Sequence, residues 1–160
     1  LTAQQPLEYV PNADAVIFGS GRRTRQVMAD DALMARLKLN PARQLIASQC
    51  SGALILARLG LLQSIPVCTD WKTRPTVEAA GVRVLDEPFY AQGNIASAGG
   101  CLASHYLAVW MIWRALGKAV AIAALSYVLP VGQEAAYTAR AIAAVSDYIP
   151  ADKASEANTI

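Results

Sequence analysis

The chain has 160 residues, 54% of them apolar and 16% charged, with 14 Lys plus Arg against 12 Asp plus Glu for a net charge of +2. That composition describes about one globular domain and excludes a disordered tail as well as a nucleic-acid binder that works by neutralising phosphates. Three cysteines without a Cys-x-x-Cys pair, and a single histidine, do not build a disulfide framework or a Cys/His zinc site, and no metal or cofactor is expected. A reducing, cytoplasmic setting fits this cysteine usage, and no leader with a basic start and apolar middle opens the chain. Leu1 in place of Met points to a processed or cut N-terminus. The most apolar stretch, 102–131, is interrupted by His105, Arg114 and Lys118, and its clean part, 119–131, is too short to span a bilayer, so it reads as buried structure.

In chain order, residues 15–18 form a short unbroken apolar run that stops at Gly19-Ser20-Gly21, the pattern of a strand buried on both faces and followed by a tight turn. Val27, Leu33, Met34 and Leu37 recur at helical spacing and predict one helix over 26–39, ended by Asn40-Pro41. Residues 44–47 read as a second buried strand and 51–59 as a helix capped by Gly60. Beyond it come a brief strand at 67–69, a helix at 75–80 opened by Pro75 and closed by Gly81, and strands at 82–85 and 95–98. Leu102, Tyr106, Val109, Trp113 and Leu116 predict a helix over 101–116, and a further apolar helix follows at 118–127. Residues 1–150 are read as one domain and 151–160 as a polar, frayed tail. The alternation of strands and helices predicts a mostly parallel sheet with helices on both faces, a flavodoxin-like three-layer α/β sandwich.

The segment Ala47-Ser48-Gln49-Cys50-Ser51-Gly52 puts a thiol where a buried strand turns sharply into a helix. Such an elbow projects its side chain off the carboxyl edge of the sheet, the small neighbours permit the turn, and the helix N-terminus favours a thiolate. Two readings of Cys50 stand on spacing alone: a nucleophile, or a small packed core cysteine.

Cys50-Ser51-Gly52-Ala53-Leu54-Ile55-Leu56-Ala57, followed by Leu59-Gly60-Leu61-Leu62, resembles the nucleophile elbow of the ThiJ/PfpI superfamily, within the class I glutamine amidotransferase-like folds. Asp14-Ala15-Val16-Ile17-Phe18-Gly19-Ser20-Gly21 is similar to that family's strand and Gly-Gly turn, with Ser20 in place of the first Gly. Cys68-Thr69-Asp70-Trp71 resembles its Thr-Thr-His-Trp-like segment, and 93–100 its strand before a long helix. The resemblance runs from about Ala13 to Gly132 and is nearest the isocyanide hydratase-like branch. It implies Cys50 as nucleophile, an oxyanion-binding pair in the backbone N–H groups of Gly21 and Ser51, a small-molecule substrate and a homodimer. It also implies a first strand and helix, and an acidic residue after that strand, which this chain is expected to lack.

Asp70 stands where many relatives carry His, and a carboxylate close to the sulfur raises the thiol's pKa. Its readings are a protonated group, a hydrogen-bonded one, or a proton shuttle. His105 is either a proton-transfer group at the active edge or a packed, hydrogen-bonded residue. Arg22, Arg23 and Arg25 are either a solvated basic loop or an anion site, Trp71 a pocket wall, Trp110 and Trp113 core or interface, and Cys68 and Cys101 packing residues. The function expected is a cysteine-dependent hydratase or hydrolase of a small electrophile. The alternatives are a non-enzymatic thiol-redox or ligand sensor, and a protease or carbonyl-damage repair enzyme. Neither nucleic acid nor membrane is an expected partner.

Overall fold

The computed structural model describes residues 2–154. Strand β1 (Ala15–Phe18) pairs in parallel with β2 (Leu45–Gln49), in register Ala15 to Leu45 through Phe18 to Ser48. The strand is present but not buried on both faces as expected: it lies at the edge of the sheet, none of its residues is buried, and Ile17 is 55% exposed. The third strand, β3 (Phe89–Gln92), runs antiparallel to β4 (Ile95–Ala98), which pairs in parallel with β2, so the sheet order is β1-β2-β4-β3. Gly93 at φ 61 takes the first position of the two-residue β3–β4 loop, where a positive φ matches the twist of the strands. The expected second strand at 44–47 starts one residue later because Gln44 is spent elsewhere. Fully buried, it donates from Nε2 to the carbonyls of Val10 (2.7 Å) and Ala13 (2.8 Å) and accepts from the Asn40 N–H (2.7 Å), pinning the start of the chain.

The helix expected over 26–39 is two helices, α1 (Thr24–Ala29) and α2 (Asp31–Arg36). Asp30 between them is extended (φ −85, ψ 94) and its Oδ1 accepts the Leu33 N–H at 2.9 Å, capping α2 and breaking the run. After β2 comes α3 (Ala53–Arg58), then α4 (Arg74–Ala79) with Pro75 in its first turn. The strands expected at 67–69 and 82–85 reduce to one parallel bridge, Val67 with Val84. Val67, Val82 and Val84 are apolar because they are buried in the core. Residues 101–116 begin as a 3-10 turn, Cys101–Ala103, before α5 (Ser104–Leu116), and α6 (Lys118–Val128) follows Gly117. A helix that the expected elements omit, α7 (Glu134–Val145), buries Ala141 and Val145. Ala151–Ala154 form a short helix, α8, so the start of the expected frayed tail is helical. Residues 155–160 of that tail lie outside the described residues.

The two faces of the sheet bury different groups. Ala47, Ala96 and Ala98 lie against Tyr106, Val109, Trp110 and Trp113 of α5, with Val145 of α7 in the same cluster. Small side chains on the sheet let the large rings of α5 approach it closely. On the other face, Ile46 and its register partner Ile95 pack with Leu54 and Leu56 of α3, Val77 of α4 and Val67. This is the expected mixed α/β sandwich of the flavodoxin-like kind, with a mostly parallel sheet flanked by helices. Among the described residues, no helix is long and apolar enough to cross a membrane.

Candidate active site

The inner strand β2 ends at Gln49, and Cys50 turns the chain with φ 48 into the 3-10 turn Cys50–Gly52 and α3. It is the one non-glycine at positive φ among the described residues, a conformation that costs about 1 kcal/mol or more for an L-residue. Surrounding contacts hold it there. Thr69 Oγ1 donates to the Cys50 carbonyl at 2.8 Å, and the absent side chain of Gly52 lets the turn press against the end of β1. The elbow forms one wall of an open cavity of about 530 Å³, bounded also by the turn after β1, by α1, by residues 70–73 and by Gly100-Cys101.

Gly21 and Ser51 meet in this wall, but not as two free amides. The Gly21 N–H points to Ser51 Oγ at 3.3 Å, and the Thr24 hydroxyl donates to the Gly21 carbonyl at 2.8 Å. Thr24 having spent its proton, the 3.0 Å contact between Thr24 Oγ1 and Ser51 Oγ is a bond that Ser51 donates, which leaves Ser20 Oγ, 3.1 Å away, to donate to Ser51. The hydroxyl of Ser51 thus occupies the Gly21 donor. Thr24, only 6% exposed, is the buried anchor of this network, and no motif announces it.

Gln49 is the second residue that the sequence does not flag. Its Nε2 donates to Cys50 Sγ at 3.2 Å and to the Gly100 carbonyl at 2.7 Å, joining the elbow to the end of β4. Burial pushes the Cys50 thiol above its ordinary pKa. The Gln49 side chain and the Gly100 backbone pull it back, while Cys101 and the Asp70 carboxylate push it further up. The thiolate expected at a helix N-terminus is therefore not favoured at neutral pH. Desolvation of the sulfur outweighs the two hydrogen bonds that favour its charged form.

Asp70 lies in the same cavity wall, and its Oδ1 accepts the N–H groups of Lys72 (3.0 Å) and Thr73 (3.1 Å), bracing the turn that leads into α4. Through Oδ1 these bonds match the hydrogen-bonded reading, and they leave Oδ2 to the proton-shuttle reading. Asp70→Asn keeps the accepting oxygen and removes the charge. Its expected result is a lower Cys50 pKa and a several-fold faster alkylation of Cys50 at neutral pH, read by mass spectrometry of the labelled peptide. An unchanged rate would show that this carboxylate does not act on the sulfur.

His105 lines a different cavity, on the far side of Gly100-Cys101, and its Nδ1 donates to the Leu102 carbonyl at 2.5 Å. That is the packed, hydrogen-bonded reading. Cys68 is fully buried, as expected of a packing residue, and burial drives its thiol up to about 12. Cys101 departs from that expectation, being exposed in the wall of the Cys50 cavity. Trp71 lines the cavity, Trp110 is core, and Arg22 and Arg25 line the cavity while Arg23 does not. Among the described residues, no group of His, Cys, Asp and Glu is placed to hold a metal ion.

A mostly parallel sheet whose inner strand ends in a strained cysteine elbow over an open cavity defines a cysteine-elbow α/β protein. Solved structures that share this fold come from the ThiJ/PfpI and DJ-1 superfamily. A ThiJ/PfpI domain protein from Brachyspira murdochii is 28% identical, with a TM-score of 0.50 over 57% of this chain and 53% of its own. A DJ-1 superfamily protein from Salmonella typhimurium is 23% identical, with a TM-score of 0.65 over 80% of this chain and 71% of its own. A two-domain protein from Anabaena variabilis, with DJ-1/ThiJ/PfpI-like and ferritin-like domains, is 19% identical, with a TM-score of 0.59 over 66% of this chain. The chain spans 31% of the Anabaena protein and 53% of the Brachyspira one. No protein-family model and no curated protein matches it.

Proposed function

We propose that the chain is a cysteine-dependent hydratase or hydrolase of a small electrophilic molecule, similar in action to isocyanide hydratases. The observation that carries this reading is Cys50 held at φ 48 on the elbow, in the wall of an open cavity. Asp70 is the only carboxylate in that wall, and its Oδ1 is fixed by two amides, so Oδ2 is the acceptor for the thiol proton. The sulfur then attacks the electrophilic carbon, forming a C–S bond as an electron pair moves onto the neighbouring substrate atom. The Ser51 N–H holds that charge, joined by the Gly21 N–H once the Ser51 hydroxyl turns away. The proton taken by Asp70 passes to the substrate, water adds to the same carbon with one of its protons passing through Asp70 to the substrate, and the C–S bond breaks as the second water proton returns to sulfur, restoring the thiol. For an isocyanide, the net result is addition of water to give a formamide.

The test is a screen of isocyanides, nitriles and reactive carbonyls with product detection by mass spectrometry. Turnover should fall at least about a thousandfold in Cys50→Ser. Turnover that survives this substitution would sink the mechanism. One observation favours the second reading, a thiol-redox sensor: Cys101 is exposed in the same cavity wall as Cys50. Its signature is reversible, selective oxidation of Cys50 without turnover of any substrate.

A further inference from the structure

Arg36, Arg43, Arg58 and Arg74 are paired with Glu8, Asp14, Asp31 and Glu78. None of these pairs uses Arg22, Arg25 or Lys72, the three cations that line the Cys50 cavity. Arg25 instead donates to the Lys72 carbonyl (3.4 Å) and to Thr76 Oγ1 (3.2 Å), reaching from α1 across to the turn before α4. The Lys72 ammonium lies 5.1 Å from the ring centre of Trp71, which is 78% exposed. The one carboxylate of the wall, Asp70, already accepts two backbone amides through Oδ1. Three positive groups therefore face one negative group around a cavity that also holds the thiol.

None of the three cations is among the groups that lower the Cys50 pKa, a role taken by Gln49 and the Gly100 backbone. Their positive field falls instead on whatever enters the cavity mouth, where charges of one sign concentrate oppositely charged ligands. We propose that this cavity selects small anionic electrophiles, with a carboxylate-sized group seated against Arg22 and Lys72 while the reacting carbon reaches Cys50. The inference rests on Cys50 being the nucleophile and names the substrate class for that reading.

The experiment compares alkylation of Cys50 by iodoacetate and by iodoacetamide in the full chain, followed by mass spectrometry of the labelled peptide. The two reagents share a leaving group and differ by a negative charge. At low salt, the ratio of the iodoacetate to the iodoacetamide rate at Cys50 should exceed the ratio for the same cysteine in the urea-unfolded chain by about tenfold. The advantage should shrink at high salt and be lost in the Arg22→Ala, Lys72→Ala double variant, whose positions are both exposed. Circular dichroism establishes that the variant remains folded, and a folded variant with wild-type selectivity overturns the proposal. So does a ratio equal to that of the unfolded chain, a result that leaves Cys50 as nucleophile intact if iodoacetamide labels it readily. If Cys50 in the folded chain reacts with neither reagent up to alkaline pH, the nucleophile reading and the anion selection fall together.

Discussion

Replacing Gly52 with alanine should destabilise the protein by about 3 kcal/mol or more, against what its backbone conformation predicts. Gly52 has φ −56 and ψ −25, ordinary helical values, and alanine in a helix is favoured over glycine by about 1 kcal/mol. Packing reverses the sign. A Cβ at this position would lie 2.0 Å from the carbonyl oxygen of Phe18, 2.9 Å from its carbonyl carbon and 3.2 Å from its Cβ. The obstacle is the backbone at the end of β1, which cannot swing aside as a long side chain would. Relief requires β1 to separate from the elbow, which disturbs the β1–β2 pairing and the Ser20, Gly21 and Ser51 network together. Urea unfolding should show a clearly lower midpoint for Gly52→Ala, while Gly19→Ala, where a Cβ meets nothing within 4 Å, stays near the wild type. Equal midpoints for Gly52→Ala and the wild type would mean that β1 and the elbow are not in this close contact.

That contact also shows where sequence reasoning reaches and where it stops. The elbow is legible because its causes are local: a run of buried small and apolar residues, a thiol, then Ser51-Gly52 opening a helix. The strands at β1 and β4 and the helix α5 follow from the same kind of local pattern. The strands expected at 67–69 and 82–85 fail because an apolar run records burial, and burial here comes from packing beside α3 and α4 rather than from a sheet. Helix α7 goes unseen because it is rich in alanine, although Tyr137, Ala141 and Val145 recur at a four-residue spacing. Gln49 and Thr24 are illegible for another reason. Gln49 acts through Gly100, 51 residues away, and Thr24 through Ser51, 27 residues away, so neither leaves a local trace. The direction of the Cys50 pKa belongs with them, since desolvation is a property of the whole packed site.

Desolvation also sets the second large effect, a loss of stability at alkaline pH that runs through Cys68. This residue is fully buried, and its thiol stays protonated up to about 12 because burial outweighs the Ser97 hydroxyl beside it, with Glu87 adding to the rise. In the unfolded chain the same thiol ionises at about 8.5 to 9. Below that range both states hold the proton and the contribution of Cys68 is fully present. Above it the unfolded state holds fewer protons than the folded one, so stability falls as pH rises, by up to about 1.4 kcal/mol per pH unit, until the folded thiol ionises too. Cys50 and Tyr148, both pushed up by burial, add in the same direction. Lysine and other tyrosine side chains titrate in the same window, so the informative quantity is the difference between the wild type and Cys68→Ala, measured by urea unfolding across the pH series. The variant starts lower because it leaves a small cavity, but its curve lacks this ionisation. Between about pH 9 and about pH 11 the advantage of the wild type should shrink by about 2 kcal/mol. A constant difference across that range would show that the Cys68 thiol ionises as easily in the fold as in the open chain, and that the core around Val67 and Cys68 admits water.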